Sequence, residues 1–384
     1  MNVKQLNIMG YRGIKSLKLN LDPKTTVLIG ENNTGKTSIL HALDLVLNHQ
    51  ANSTDTWSKI SPYDFYQTDL SNTNQENENF SITLLLSEKS QNQWSEDMLR
   101  SLKDVLISPD IKVIDNKKEK AVTLQQIKVK YIVNYQNHLN KFTTEVLFLS
   151  LNDEIIDVDH TNYHQILCQL INFSFLSALR DSSREFGKQG QFWNKLIKTI
   201  NVPETDAIDI EQKLQSLNEQ LLKSNEHLGT ISNNFSKISR IISLKEDKPA
   251  SFEGIPTRIF DTISNIKLFL TSNQNCKLPL ERYGEGTQSL SVLQLFQAFT
   301  ELINDNESTS ILALEEPEAH LHPSATRKLA SIINNLSEQV IVSSHSGDFV
   351  SSVDLNSIRR LYKKNGETFV GQVNETTNLD DNEL

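Results

Sequence analysis

The sequence is short of the residues that build several common kinds of site. Its 384 residues include two cysteines, Cys168 and Cys276, and neither belongs to a CxxC or Cys/His spacing. A zinc site or a redox pair is therefore not indicated, and both thiols are expected to be reduced core residues. No apolar run approaches the roughly 20 residues of a membrane span, and the first twenty residues lack the apolar core of a signal peptide. The cytoplasm is the expected compartment.

Basic residues are also too few to give the whole chain a positive field. Lysine and arginine number 38 against 48 aspartates and glutamates, which gives a formal net charge of -10. Nucleic acid would therefore have to bind at a local basic patch or through a partner protein. Hydrophobic residues make up 37% of the chain, enough to bury a core in two or three domains or in one domain with a large insertion.

What the sequence does contain is a glycine loop between an apolar run and a helical pattern. The stretch LIGENNTGKT fits G-x-x-x-x-G-K-[ST] through Gly30, Gly35, Lys36 and Thr37, and TSILHALDLVL follows with helical spacing. Such a loop directs backbone amides and the positive end of a helix at phosphates. Lys36 would neutralise the β and γ phosphates of ATP, and Thr37 would offer its hydroxyl to Mg²⁺. The predicted nucleotide-binding residues of the loop are Gly30, Asn32, Asn33, Thr34, Gly35, Lys36, Thr37 and Ser38.

A pair of carboxylates provides the acidic partner that a phosphate loop needs. Glu315 and Glu316 directly follow the apolar run ILAL. A buried strand that ends in two carboxylates is the Walker B pattern, in which Glu315 orients the magnesium shell and Glu316 positions the attacking water. The alternative is an acidic helix cap before Pro317. Because 278 positions separate Thr37 from Glu315, a large insertion must divide the core, as in ABC-type ATPases of the SMC and RecF kind.

Part of this insertion carries a helical seam. From Ile210 to Ile242 apolar residues recur at alternate steps of four and three, and only Ser224 interrupts them. This pattern predicts a long helix, or two helices interrupted near Gly229, packed against another helix. The partner helix belongs either to the same domain or to a second copy of the chain, and the seam alone does not distinguish the two.

The remaining patterns predict an α/β fold. Two strands should flank GYRG, an antiparallel sheet should form from FSITLLLS, IKVKYIVNY and FTTEVLFLSL, and strands should alternate with helices near the C terminus. We therefore predict an ABC-type P-loop ATPase head with a mixed sheet and an inserted, coiled-coil-like helical segment. The predicted divisions are 1–195 and 273–372 for the two parts of the ATPase domain, 196–272 for the helical insertion and 373–384 for an acidic tail.

Several segments resemble the ATPase domain of the OLD (overcoming lysogenization defect) family of nucleases. They are GYRGIKSLKLNL, GENNTGKTS, FSFLSALRDSSREF, ERYGEGTQSLSVLQ, LALEEPEAHLHP and VSSHS. The resemblance is good over roughly residues 1 to 50 and 275 to 365 and weak between them, except at FSFLSALRDSSREF. It implies a homodimer that hydrolyses two ATP molecules held between the phosphate loop of one subunit and the signature loop of the other. It also implies that the helical insertion dimerises, and that the ATPase controls a DNA nuclease or other effector in antiphage defence.

The same resemblance assigns roles to individual residues. His345 corresponds to the switch histidine near the γ-phosphate, so the predicted catalytic residues are Lys36, Glu316 and His345, with Thr37 and Glu315 as metal ligands. Arg12 corresponds to an arginine close to the nucleotide. GEGTQS corresponds to the signature, although by itself it would be an ordinary glycine turn before a helix. Its predicted nucleotide-contacting residues are Gly284, Gly286, Thr287, Gln288 and Ser289.

Other polar residues have less specific assignments. His320 and His322 suit a dimer-facing D-loop better than a metal site. The candidates for the glutamine-loop position are Asp64 and Gln67, and those for the nucleotide edge, or a turn salt bridge, are Arg180 and Asp181.

The effector is not evident in this sequence. A full-length OLD protein also carries a C-terminal TOPRIM nuclease domain with clustered carboxylates, and we expect these 384 residues to lack one. We therefore expect either the ATPase part of a longer protein or an ATPase with a separate effector. Two other functions fit the same motifs. One is a slow ATP-sensing scaffold that sequesters and releases a toxic effector. The other is a transporter subunit, which the long helical insertion disfavours.

Overall fold

The computed structural model describes residues 1–49, 60–66, 77–115, 118–136, 141–176, 202–224, 255–264, 268–271, 277–303, 309–319, 321–336 and 339–372. The chain divides into two compact units, one from Met1–Arg180 with Ser289–Leu384 and one from Asp181–Gln288. The glycine loop, the acidic pair and His345 belong to the first unit. The following features of the sequence analysis lie outside the described residues: Gln67, Arg180, Asp181, Cys276, His320, the seam over 225–242 and the tail at 373–384.

The elements follow in chain order. The strands are β1 (Asn2–Tyr11), β2 (Ile14–Asn20), β3 (Thr25–Gly30), β4 (Asn77–Ser87), β5 (Asp110–Asp115), β6 (Lys118–Thr123), β7 (Gln126–Gln136), β8 (Lys141–Leu149), β9 (Ile171–Leu176), β10 (Phe269–Thr271), β11 (Lys277–Pro279), β12 (Thr309–Glu315), β13 (Gln339–Ser343), β14 (Ile358–Lys364) and β15 (Glu367–Gln372). The helices are α1 (Lys36–Asn48), α2 (Glu96–Ser101), α3 (His160–Leu170), α4 (Glu204–Ser224), α5 (Ile259–Ser264), α6 (Glu285–Ile303), α7 (Pro323–Asn335) and α8 (Gly347–Val350).

One sheet of the first unit is antiparallel and has five strands in the order β2-β1-β4-β7-β8. Its strands carry apolar residues at alternate positions, such as Leu6 and Ile8, which oppose Leu19 and Leu17 in the pairing of β1 with β2. All four of these side chains are buried. The apolar residue at every second position therefore lies on the face of the sheet that packs on the core. The predicted N-terminal strand pair and the predicted antiparallel sheet are confirmed, and they are parts of the same sheet.

The other sheet is mixed and has six strands in the order β15-β14-β3-β13-β12-β9. All neighbouring pairs are parallel except β14 with β15. Every residue of β13 and the middle five residues of β12 are buried, which explains their unbroken apolar runs. Because β3, β12 and β13 are parallel neighbours, the loops at their carboxyl ends meet at one edge. The predicted α/β fold with a mixed sheet is confirmed.

The second unit contains α4, α5 and the β10–β11 pair. The side-chain amide of Asn218 on α4 binds both backbone groups of Ile255, donating to the carbonyl at 2.7 Å and accepting from the N–H at 2.9 Å. The Glu211 carboxylate also accepts from the backbone N–H of Ile259 at 3.0 Å. The predicted helix is therefore present over its described part, and it is tied to the segment that leads into α5.

None of the helices in the described ranges is both long and apolar enough to cross a membrane.

Candidate functional site

The phosphate loop joins the end of β3 to the start of α1. Gly30 has a φ of 149°, and a Cβ there would lie 2.2 Å from the backbone oxygen of Leu361 in β14. Gly35 has a φ of 101° at the N-cap of α1, where a Cβ would lie 3.1 Å from the side chain of Ile14. A side chain at Gly30 would require the neighbouring strand to move, and both φ values favour glycine. The two glycines of the motif therefore have separate reasons to be present.

Lys36 folds back over this loop. Its Nζ donates to the carbonyl oxygens of Gly30 and Glu31, both at 2.8 Å. Burial lowers the pKa of Lys36, and the carboxylates of Glu316 and Glu315 act in the opposite direction. The ammonium group is thus held over the loop by neutral acceptors. Phosphate oxygens are stronger acceptors for a charged donor, so an anion entering the loop would compete for them.

The other predicted loop residues are divided between the rim and the interior. Asn32 and Asn33 are exposed, and Asn33 adopts a φ of 62°. Thr34 is buried, and its hydroxyl donates to the carbonyl oxygen of Glu31 at 2.8 Å. Thr37 and Ser38 lie half-buried in the first turn of α1. The loop is therefore braced internally, while its outer edge presents amides and polar side chains.

The two adjacent carboxylates face different partners. Glu315 is the last residue of β12, and its Oε1 accepts a hydrogen bond from the hydroxyl of Thr37 at 2.5 Å. Glu316 has a φ of 44°, which turns the chain, and its backbone N–H donates to the carbonyl of Ser343 at 2.9 Å. Its Oε1 lies 3.4 Å from Nε2 of His345. The structure therefore joins Glu315 to the phosphate loop and Glu316 to the histidine.

Glu318 is a polar residue of this edge to which the sequence analysis gave no role. Its Oε1 accepts from the hydroxyl of Ser344 at 2.6 Å and from the backbone N–H of His345 at 3.0 Å. The only sequence signal was its place within EEPEAH, two residues after Glu316. Neither partner could be inferred from that spacing, because both belong to the loop after β13.

Arg12 is bound to Asp64, a residue that the sequence analysis considered only for the glutamine-loop position. The Arg12 backbone N–H donates to the Asp64 carbonyl at 2.7 Å, and its Nε donates to Asp64 Oδ1 at 2.7 Å. The guanidinium carbon also lies 5.2 Å from the centre of the Tyr11 ring. The pair is thus fixed by the turn that contains Asp64, a 3₁₀ helix at Pro62–Asp64.

His41 lies in α1 one helical turn after Thr37, and its ring packs edge-on against Phe175 with the ring centres 4.9 Å apart. Burial and the nearby Arg12 charge lower the pKa of His41, while Asp44, Glu315 and Asp64 act to raise it. The Arg12–Asp64 pair and Glu315 therefore share the electrostatic surroundings of one side chain.

The signature residues lie at the start of α6. Gly284 precedes the helix, while Gly286, Thr287, Gln288 and Ser289 belong to its first turns. The Gln288 side chain donates to the carbonyl of Tyr283 at 2.7 Å, which closes the turn, and Ser289 is buried. The local structure is the predicted loop and helix start.

The D-loop histidine that the structure describes has a structural contact. His322 is the N-cap of α7, and its Nδ1 accepts from the backbone N–H of Ser324 at 3.3 Å. Within the described ranges there is no group of three or more His, Cys, Asp or Glu side chains placed to hold a metal ion. A protein-only metal cage is therefore not seen in this part of the chain.

Comparison with known protein families shows which family this chain belongs to. A family model described as "AAA ATPase domain" matches residues 1–350. This chain belongs to the AAA ATPase domain family. Membership implies that the domain binds ATP, and the matched segment contains the phosphate loop, the acidic pair and His345.

Curated relatives of this AAA ATPase domain include two nucleases. The OLD nuclease of Thermus scotoductus is 23% identical over 378 residues, which cover 96% of this chain and 63% of that protein. The endonuclease GajA of Bacillus cereus is 21% identical, with coverage of 92% and 57%. The DNA replication and repair protein RecF of Clostridioides difficile is 21% identical, with 96% of both chains covered. The resemblance to OLD-family ATPase domains is confirmed, and the chain spans less than two thirds of either nuclease.

Proposed function

We propose that this chain hydrolyses ATP as a homodimer, and that its nucleotide state controls a DNA nuclease or another effector in an OLD-type antiphage system. The observation that carries the hydrolytic part is the separation of the two carboxylates. Glu315 receives the Thr37 hydroxyl, whereas Glu316 lies beside His345. Glu315 would therefore face the metal and the phosphates, and Glu316 would face the attacking water.

When ATP binds, the ammonium group of Lys36 would exchange its hydrogen-bond acceptors. The ammonium group, now on the carbonyls of Gly30 and Glu31, would transfer to phosphate oxygens. The amides of the loop and of the first turn of α1 would bind the remaining phosphate oxygens, aided by the helix dipole. Gly30 and Gly35 already have the positive φ values that turn the loop, so binding would require little backbone reorganisation.

The residues at the strand end fit Mg²⁺. A threonine hydroxyl and a carboxylate are hard oxygen donors, and Mg²⁺ in phosphoryl-transfer sites is commonly held by one or two such groups together with substrate phosphates. Thr37 and Glu315 would hold it here. When bound, the ion would neutralise charge on the phosphates.

Glu316 and His345 would act on the water. The Glu316 carboxylate is a suitable acceptor for the proton of a water that attacks the γ-phosphate. His345 Nε2, 3.4 Å from Glu316 Oε1, would orient that carboxylate. Hydrolysis would then proceed from a preformed pair at the ends of neighbouring strands.

A second copy of the chain would complete the site. We assign Gly284, Gly286, Gln288 and Ser289 to contacts with the ATP held by the opposite subunit, as the resemblance implies. The net charge of -10 gives the chain as a whole no attraction for DNA. DNA would therefore be engaged through the nuclease or another effector.

The test compares ATP binding and phosphate release in the wild type, Lys36→Ala and Glu316→Gln. Lys36→Ala should weaken ATP binding by roughly 10- to 100-fold, because it removes a charged hydrogen-bond donor. Glu316→Gln should bind ATP normally and hydrolyse it at least about 100-fold more slowly, since it removes the proton acceptor. Lys18→Ala and Glu145→Gln, at exposed positions of β2 and β8, are matched controls.

Wild-type ATP affinity in Lys36→Ala would contradict the nucleotide assignment. A wild-type hydrolysis rate in Glu316→Gln would instead contradict the role given to that carboxylate, with ATP binding left intact.

A further inference from the structure

Two loops that carry the hydrolytic residues meet at one carboxylate. The parallel pairing of β12 with β13 ends at Glu315 opposite Ser343, and the Glu316 N–H then donates to the Ser343 carbonyl. Beyond that point Glu318 accepts from the Ser344 hydroxyl at 2.6 Å and from the His345 N–H at 3.0 Å. The Glu318 carboxylate is therefore a bridge between the loop after β12 and the loop after β13.

The bridge is part of a longer chain of hydrogen bonds. The Ser346 N–H donates to the Ser344 hydroxyl at 3.1 Å, and that hydroxyl donates onward to Glu318. Ser344 is completely buried, and its own N–H donates to the Leu28 carbonyl in β3. Hydrogen bonds are electrostatically stronger in such surroundings than in water. The backbone of 344–346 is thus fixed by β3 on one side and Glu318 on the other.

We propose that Glu318 is a positioning residue that holds His345 against Glu316. The proposal rests on the hydrolytic function proposed above. Glu318 binds the backbone of His345, and the imidazole of that residue lies 3.4 Å from the Glu316 carboxylate. None of the hydrogen bonds described for Glu318 involves a residue of the phosphate loop, so it acts through His345 and not on ATP.

The experiment measures kcat, the ATP dissociation constant and the melting temperature for Glu318→Ala, Glu318→Gln, His345→Ala and the double variant Glu318→Ala/His345→Ala. Glu318→Ala should lower kcat by roughly 10- to 100-fold, because small misplacements of catalytic groups have effects of that size. It should leave the ATP dissociation constant within about twofold, because Glu318 does not contact the loop. Glu318→Gln should restore most of kcat, since an amide oxygen can accept both hydrogen bonds.

The double variant separates positioning from an independent effect. If Glu318 acts through His345, adding Glu318→Ala to His345→Ala should cause no further loss of kcat. Glu88→Ala is the matched structural control. Glu88 is a buried carboxylate that accepts from the backbone N–H groups of Trp94 and Gln125, at 3.0 and 2.9 Å. That variant should lower the melting temperature without changing kcat per folded molecule.

The proposal is overturned if Glu318→Ala keeps wild-type kcat, if it weakens ATP binding as much as hydrolysis, or if its effect persists undiminished in the His345→Ala background. Wild-type kcat in His345→Ala would also overturn it. None of these outcomes alters the Lys36→Ala result, which tests the nucleotide assignment separately.

Discussion

At the scale of single residues, Arg12 illustrates how a charged group can be oriented before a ligand arrives. Asp64 binds its Nε, and the carboxylate is itself fixed because Oδ2 accepts from the Ser61 N–H at 2.8 Å. The side chain of Asp64 is 9% exposed and that of Arg12 is 30% exposed. The terminal Nη groups make no hydrogen bond with a described residue. The guanidinium is therefore held at one end and available at the other.

We expect Asp64→Ala to raise the ATP dissociation constant about tenfold. Without the carboxylate, ordering the long arginine side chain on binding would cost up to about 2 kcal/mol of rotamer entropy. Equilibrium titration with a fluorescent ATP analogue would measure the change. Glu367→Ala is the control, because it removes an exposed ion pair with Lys15 that contributes little. If Asp64→Ala weakens ATP binding as much in an Arg12→Ala background as in the wild type, Asp64 does not act through Arg12.

The residues of the site differ in how far the sequence could predict them. The placement of Lys36 and Thr37 at the start of a helix after a strand was predictable because it follows from local spacing in one loop, and their roles stay predictions. Glu315 was predictable because an apolar run ending in carboxylates is itself a local pattern. The contact of Arg12 with Asp64 and that of Glu318 with Ser344 were not, because each joins residues from different elements. Hydrogen-bond partners of that kind are set by tertiary packing, which periodicity does not encode.

At the scale of elements, α1 is completed by a side chain from α3. The last four carbonyls of a helix have no partner within it. In α1 the Val46 carbonyl accepts from Nε2 of His164 on α3 at 2.8 Å, and His164 is 1% exposed. Burial lowers the pKa of His164, with a smaller opposing effect from this hydrogen bond. The folded protein therefore holds His164 in its neutral form.

This contact predicts a pH dependence of stability. The pKa of His164 is lower in the folded chain than the ordinary value of about 6.5 in the unfolded chain. At pH values near and below 6.5 the unfolded state therefore binds more protons at His164 than the folded state does. The free energy of unfolding should fall as the pH drops below about 6.5, and this group can contribute at most about 1.4 kcal/mol per pH unit. Urea unfolding at pH 7.5 and 5.5 should show a smaller fall in His164→Gln than in the wild type.

The exposed His322 provides the comparison for that measurement. In His322→Gln the free energy of unfolding should fall between pH 7.5 and 5.5 by as much as in the wild type, even if the substitution lowers stability equally at both pH values. An identical pH dependence in wild type and His164→Gln would rule out His164 as its source.

The elements themselves were largely predictable, whereas their order in the sheets was not. The unbroken apolar runs of β12 and β13 and the alternation in β1 and β2 mark strands in the sequence. That β13 lies between β3 and β12 depends on packing between distant segments. The pair of β5 with β6 was not predicted, because DIKVID and KEKAVT are short and KEKAVT is mostly polar.

At the scale of the whole molecule, α4 carries a row of exposed apolar side chains. Ile210, Leu217 and Leu221 follow the heptad steps of the predicted seam and are 37%, 45% and 46% exposed. An apolar stripe of this kind on a charged helix is typical of a helix that packs on a partner. The homodimer of the proposed function would cover it.

We expect Leu217→Glu/Leu221→Glu to weaken dimerisation by roughly 100-fold or more. Each substitution would remove an apolar side chain worth about 1.5–3 kcal/mol from both subunits of a symmetric interface. Sedimentation velocity with ATP, in a Glu316→Gln background, would measure the monomer fraction. Gln212→Glu is the control, since it adds one negative charge at an exposed position on the opposite side of α4 and removes no apolar side chain. If Leu217→Glu/Leu221→Glu dimerises as strongly as Gln212→Glu, this surface is not part of the dimer interface.

The position of β3 has a consequence for the newly synthesised chain. The neighbours of β3 in its sheet are β13 and β14, and the Leu361 carbonyl packs against Gly30. The phosphate loop is encoded within the first forty residues, but its lateral support is translated more than three hundred residues later. Contacts so distant in sequence form late in folding. A ribosome that stops early would therefore release a polypeptide with the complete motif and no means of holding ATP.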